Sequence, residues 1–269
     1  MKVGILAVVA SAIVGAGVAQ DVYTLTDGTP CPMVGTAKGE AVKALNRDKN
    51  RFTSPHAGDI DDTVTLAGML SPGDDEGRFD GTRGARVVGF VIDAHMGGKE
   101  TCNCDATDPT DRDTHIELAL ATDAPPNQRV IVEVTPRIRQ KELNQGVDWS
   151  TMALSSHGER GLKGKWVEIT GWLLFDFEHV DQSENTNPGN PTNWRATAWE
   201  IHPVTTITVL DEPPPSVATM SSGLFRELQA VHARHARRDP ARRKAIEARI
   251  KAVREKVGDD DDQERDERR

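Results

Sequence analysis

The sequence predicts a mainly β protein: a small Greek-key barrel with an N-terminal arm and a C-terminal α-helical extension. Three observations predict it. β-rich runs crowd between residues 85 and 210. Glycines interrupt two of the long runs, Gly89 in one and Gly171 in the other, as strands that must curl to close a small barrel require. A stiff linker, Glu212-Pro213-Pro214-Pro215, then separates these runs from a charged helical pattern. Only 37% of the 269 residues are hydrophobic, too few for a chain folded throughout, so polar tails are expected around a compact centre.

Residues 1–19 read as an export signal. Lys2 gives a short positive start, Val3 to Val14 is almost continuously apolar, and Gly17-Val18-Ala19 supplies small residues for cleavage before Gln20. The apolar run is too short to span a bilayer comfortably, and no later stretch is apolar enough, so the mature chain is expected to carry no transmembrane segment. The expected location is secreted or periplasmic, where cysteines oxidise. Of Cys31, Cys102 and Cys104, at least one is left over, and a bridge from Cys31 to one of the other two would fasten the arm to the core.

The arm covers residues 20–84. Gly39 to Phe52 fits a short helix with Val42 and Leu45 on one side, while Lys43, Arg47, Lys49 and Arg51 read as a solvated basic face. Residues 53–84 read as irregular, with an apolar interlude from Val64 to Leu70. The barrel is expected over 85–210. Arg86 to Ala94 is its first strand, with a bulge or bend at Gly89; Gly97-Gly98 is a turn, and Glu100 to Cys104 a return strand. After an Asp-rich loop, Asp113 to Leu120 alternates apolar Ile116, Leu118 and Leu120 with Asp113, His115 and Glu117, the period of a strand with two unlike faces. Arg129 to Thr135 is a strand ended by Pro136, Ser150 to Leu162 a short helix or crossover, and Lys165 to Phe177 the longest strand. Residues 181–193 form a long loop, and Thr197 to Leu210 the last strand. This order fits the five-stranded OB-fold better than an immunoglobulin-like sandwich, which wants about seven strands.

Residues 211–220 form the linker. Residues 221–257 read as two basic helices, the first starting near Ser221 or Ser222 and the second capped by Asp239-Pro240, and residues 258–269 as a disordered charged tail. The segment 221–257 carries eleven Lys and Arg against four Asp and Glu, although the whole chain has a net charge of −9. Nucleic acid is therefore disfavoured at the barrel, and the basic helices are the better place for it.

Three segments stand out for their chemistry: Asp111-Arg112-Asp113-Thr114-His115, Phe175-Asp176-Phe177-Glu178-His179 and Trp199-Glu200-Ile201-His202-Pro203-Val204. Their set resembles the D-x-D-x-H, F-D-x-x-H and E-x-H-P-V segments that occur in this order in exported bacterial OB-fold-like proteins. The resemblance covers about residues 85–210 and neither end. It implies the barrel boundaries and the grouping of the three segments, and it assigns no activity.

From the residues themselves, Asp113, His115, His179, Glu200 and His202 are the candidate metal ligands. Side chains two apart on one strand face lie roughly 7 Å apart, and carboxylate with imidazole suits a divalent metal, Zn or Mn. The plainer alternative is a polar face cross-linked by His–carboxylate hydrogen bonds. Glu117, Trp166, Trp172 and Trp194 are candidate ligand-binding residues, since exposed indoles stack on sugars and bases, although packing beneath the arm or long loop also accounts for tryptophans. The expected function is an exported OB-like module that binds an unidentified ligand or protein partner. The alternatives are a metal-dependent hydrolase built on the His/carboxylate cluster and an envelope interaction protein acting through the basic C-terminal helices. Whether the chain is an enzyme is left open by its sequence.

Overall fold

A computed structural model of the protein describes residues 22–156, 161–212 and 238–257, with six further positions between 227 and 234. The expected export signal, the linker from residue 213 onward, most of the first basic helix and the charged tail lie outside the described residues.

Five strands close a barrel: β3 (Gly84–Met96), β4 (Thr114–Ala119), β5 (Val130–Val134), β6 (Trp166–Phe175) and β7 (Trp199–Leu210). Their spatial order is β3-β4-β5-β7-β6, and β6 returns to pair with β3. All neighbours run antiparallel except β5 and β7, which meet in parallel at Val132 and Ile201. β3 is long enough to serve two partners, giving residues 84–90 to β6 and residues 90–96 to β4. It exceeds the predicted longest strand, which is β6.

Alternation fills the interior. Val87, Val91, Ile116, Leu118, Val130, Val132, Val134, Val167, Ile169, Leu173 and Ile201 form one hydrophobic cluster. Val64, Leu66, Met69 and Leu70 from the arm belong to the same cluster, so packing crosses the boundary expected at residue 85. The apolar interlude is the short helix α2 (Leu66–Leu70), capped by Thr65, whose hydroxyl accepts from Gly68 N at 3.0 Å. Gly89 makes room for it, because a Cβ there would lie 2.6 Å from Leu66 Cδ2. The β-bulge expected at Gly89 is displaced to Val91–Asp93, while Gly171 does sit at a break in register.

The arm wraps the outside. A two-stranded ribbon, β1 (Val22–Thr24) and β2 (Pro30–Pro32), precedes α1 (Glu40–Lys49). Val42, Leu45, Asn46 and Lys49 are buried at helical spacing. Lys49 was expected on a solvated face, and this is corrected: helical period places it on the inner side. The return strand expected over Glu100–Cys104 is instead a 3-10 turn at Thr101–Asn103, with Cys104 in the left-handed region (φ 57°) and bonded to Cys31. Asn46 and Asn50 hold that turn by donating to Thr101 Oγ1 and the Cys102 carbonyl at 3.0 and 2.9 Å. Pro136, expected only to end a strand, also opens α3 (Pro136–Leu143), capped by Thr135; α4 (Thr151–Ser155) follows before β6.

The helix α5 (Pro240–Val257) starts at Asp239, which accepts from Ala241 N at 2.9 Å. Its Val253 and Val257 pack on Val180 and Ala198, and Arg249 and Arg254 pair with Asp74 and Asp181. None of the helices is long and apolar enough to cross a membrane among the described residues.

Candidate metal centre

Strands β4 and β5 are buried on both faces. The even residues of each line the barrel; the odd ones face outward beneath α1 and the 97–113 segment. Register then sets a polar row across this outer face. His95 lies opposite His115, His115 lies opposite Glu133, and the parallel contact at Val132–Ile201 puts Glu133 beside His202.

Six donors converge there: Glu100, Cys102, Asp113, His115, Glu133 and His202. They form three trios whose ligand atoms all lie within 4.8 Å of one another: Glu100–His115–Glu133, Glu100–Cys102–Asp113, and Asp113–Glu133–His202. His115 Nε2 is 3.1 Å from Glu133 Oε2 and His202 Nε2 is 3.7 Å from Asp113 Oδ2, while the other ring nitrogen of His202, Nδ1, is 3.5 Å from Glu133 Oε2. Two ligands on a tetrahedral ion with bonds of about 2.1 Å stand about 3.4 Å apart, so the His115–Glu133 and His202–Asp113 separations each suit a pair sharing a cation. Asp113, His115 and His202 are each 0% exposed. Asp113 Oδ1, Glu133 Oε2 and His202 Nε2 are buried with no hydrogen-bond partner among the described residues. Such atoms are costly to leave so.

A second layer positions these groups. His202 Nδ1 lies 3.3 Å from Glu200 Oε1, and Arg195 donates to Glu200 Oε2 at 2.8 Å. A carboxylate behind the far ring nitrogen is the arrangement that turns an imidazole toward a metal. Gly97 lets the chain pass over His115, since a Cβ there would lie 2.7 Å from Nε2. Lys49 Nζ meets Glu100, Asp176 and Glu178 at 2.8, 3.2 and 3.5 Å.

The electrostatics report an excess of negative charge. Burial, reinforced by Glu100, pushes Asp113 up to about 7 against the pull of His202. Burial works against a charged His202, yet Glu133, Glu200 and Asp113 outweigh it and raise the imidazole to about 9. Burial and then the neighbouring Glu100 and Asp113 hold the Cys102 thiol well above its usual range. Burial opposes ionisation of Glu100 and Asp176, but Lys49 holds both well below the usual carboxylate range.

Of the sequence-predicted ligands, the structure brings together Asp113, His115 and His202. Glu200 supports His202 and belongs to none of the trios. His179 stands on the far side of Lys49, its Nδ1 2.8 Å from Asp176 Oδ2, and also lies outside them. Glu117 continues the His115 face but pairs with Arg129 at 2.6 Å. The tryptophans make no common platform. Trp166 packs edge-on to Phe90, and Trp172 donates to the Thr53 carbonyl at 2.6 Å under Arg51. Trp194 bonds Gln182, meets His179 edge-to-face and lies under the Arg195 guanidinium.

Glu133, Glu100, Cys102 and Lys49 escaped the sequence reading. Glu133 had a signal, being the lone acidic residue in the apolar run Val130–Val134. Two surface grooves, of about 630 and 510 Å³, flank Tyr23 and α3, and neither is lined by a donor of the cluster.

No known protein family has a sequence profile that matches this chain, and no curated protein matches it.

Proposed function

We propose that this chain is an exported, OB-like barrel protein that binds a divalent transition metal in a closed centre, with Asp113, Glu133 and His202 as its first ligands. One observation carries the reading: strands β5 and β7 and the residue just before β4 deliver two carboxylates and an imidazole to one buried point, each with an atom that lacks a hydrogen bond among the described residues. Metal-ligand bonding is the usual reason for burying such a set. Two imidazoles and several carboxylates suit zinc or manganese.

The OB-like assignment is supported by the strand order, by the parallel β5–β7 contact and by helices placed between β5 and β6. Export is supported by the leader pattern and by the Cys31–Cys104 bridge, which suits an oxidising compartment. Hydrolysis is the weaker reading, because a catalytic ion needs a position open to substrate, and Cys102, Asp113, His115, Glu133 and His202 are all buried, with Glu100 alone half-buried.

Chelator-stripped protein titrated with zinc and with manganese tests the proposal. Binding of at least one of them at micromolar concentration, abolished by His202→Ala with the circular dichroism preserved, is the expected result. Failure of both ions to bind the unmodified chain overturns it.

A further inference from the structure

We propose that the centre holds two divalent cations, with Asp113 bridging them and Cys102 ligating the second as a thiolate. This rests on the metal reading above and extends it.

The trios are not alternatives for a single ion, because they interlock. Asp113 belongs both to the set with Glu133 and His202 and to the set with Glu100 and Cys102. Its Oδ2 faces both ways, 3.7 Å from His202 Nε2 and 3.9 Å from Cys102 Sγ. Its Oδ1 is buried without a well-formed hydrogen bond among the described residues, with the Asn103 amide close enough to favour the ionised carboxylate, so both oxygens are placed to serve a cation. Glu133 and Glu100 are likewise each shared by two trios, and carboxylates common to two ligand sets are what a pair of ions about 3.5–4 Å apart requires. The first ion takes Asp113, Glu133 and His202. The second takes Glu100, Cys102 and the other side of Asp113, with His115 beside Glu100 and Glu133.

Charge points to the same number. Glu100, Asp113, Glu133, Asp176, Glu178 and Glu200 are six carboxylates of the cluster, and among the described residues Lys49, Arg195 and Arg139 are the permanent cations that face them. With neutral imidazoles the excess is three negative charges, and a Cys102 thiolate makes it four. One dication leaves half of that excess buried; two neutralise it, and buried charge without a partner is what folded proteins avoid.

Cys102 also acquires a reason to be where it is. The disulfide takes Cys31 and Cys104 and leaves Cys102 reduced and buried, its Sγ 3.2 Å from Glu100 Oε2. As a thiol it donates to Glu100 Oε2 and Asp113 Oδ2; as a thiolate it joins both in facing one cation. As the sulfur–metal bond forms, the Sγ–H bond breaks and its proton leaves to solvent, so no oxidant or reductant takes part.

The test is the stoichiometry and spectrum of the full chain, stripped with chelator, loaded with Co²⁺ and freed of excess ion. Expected are two cobalt ions per chain and a thiolate-to-cobalt charge-transfer absorption in the near ultraviolet. Cys102→Ser should fall to one ion per chain and lose that absorption while keeping its circular dichroism. One ion per unmodified chain, with or without the thiolate band, overturns the second site and leaves the metal reading standing. Two ions without the band overturn the role of Cys102. No bound ion overturns both.

Discussion

Replacing Lys49 by Met removes one ammonium and keeps most of the stem. The Lys49 side chain is 3% exposed, and its Nζ is the shared partner of Glu100, Asp176 and Glu178 at 2.8–3.5 Å. The discount that applies to exposed ion pairs is therefore small here. Breaking a buried pair by removing one member costs about 3–5 kcal/mol, because the remaining charges stay behind. In a chain of this size each kcal/mol lowers Tm by about 2–4 °C, so the loss is on the order of 6–20 °C. Part of it is offset as the carboxylates take up protons, led by Glu178, which burial already raises to about 7.

The pH dependence has a definite sign. Glu100 and Asp176 are held below their unfolded values against burial, chiefly by Lys49. Their contribution is therefore present above about pH 4 and is lost as pH falls through the folded values. Lys49→Met lacks it, so the gap between variant and unmodified chain is widest near neutrality and closes in acid. Urea unfolding of metal-free protein, followed by circular dichroism from pH 7 downward, measures both. A loss below about 1 kcal/mol at pH 7, the size of an exposed pair, or a gap that grows in acid, would refute the reasoning.

Gly97→Ala should push the His115 ring aside and weaken metal binding about tenfold or more, as disturbed ligand support does; unchanged affinity in a titration would show that the ring is free to adjust. Reducing the Cys31–Cys104 bond, which spans 73 residues of sequence, should lower stability by about 4 kcal/mol on the loop-entropy argument; a denaturation midpoint unmoved by reductant would contradict it. Metal loading at pH 7 should release protons, since His202 titrates near 9 and must be neutral to ligate; calorimetry in buffers of different ionisation enthalpy counts them, and equal heats in all buffers would count against the site.

Much of the barrel was legible because alternation is a local signal. Ile116 and Leu118 against Asp113, His115 and Glu117 correctly predicted which face of β4 turns inward, and Gly171 marked a break in register. What stayed hidden depends on packing between distant segments. Lys49 falls at helical spacing from Val42 and Leu45, but a lysine there reads as solvated until the turn carrying Glu100 and the Asp176–Glu178 segment supply its buried partners. Residues 100–104 read as a strand because nothing local shows that Asn46 and Asn50 hold them as a turn. Val64 to Leu70 was visible as an apolar interlude, yet its destination depended on the missing side chain of Gly89. His179 and Glu200 had suitable chemistry, but Asp176 and Arg195 engage them first.

The single parallel contact between β5 and β7, at Val132 and Ile201, also governs when the centre can exist. Glu133 and His202 are remote in sequence and become neighbours only once the final strand seats, a long-range step whose chain-entropy cost precedes its reward. A chain still emerging in order carries Glu100, Cys102, Asp113, His115 and Glu133 without their last imidazole. On the proposed metal reading, the ion held by Asp113, Glu133 and His202 would bind the finished barrel and not its precursors, and would stabilise only that state. Occupancy by that ion would then record completed folding, and a cell short of it would accumulate chains in which the seam opens more readily.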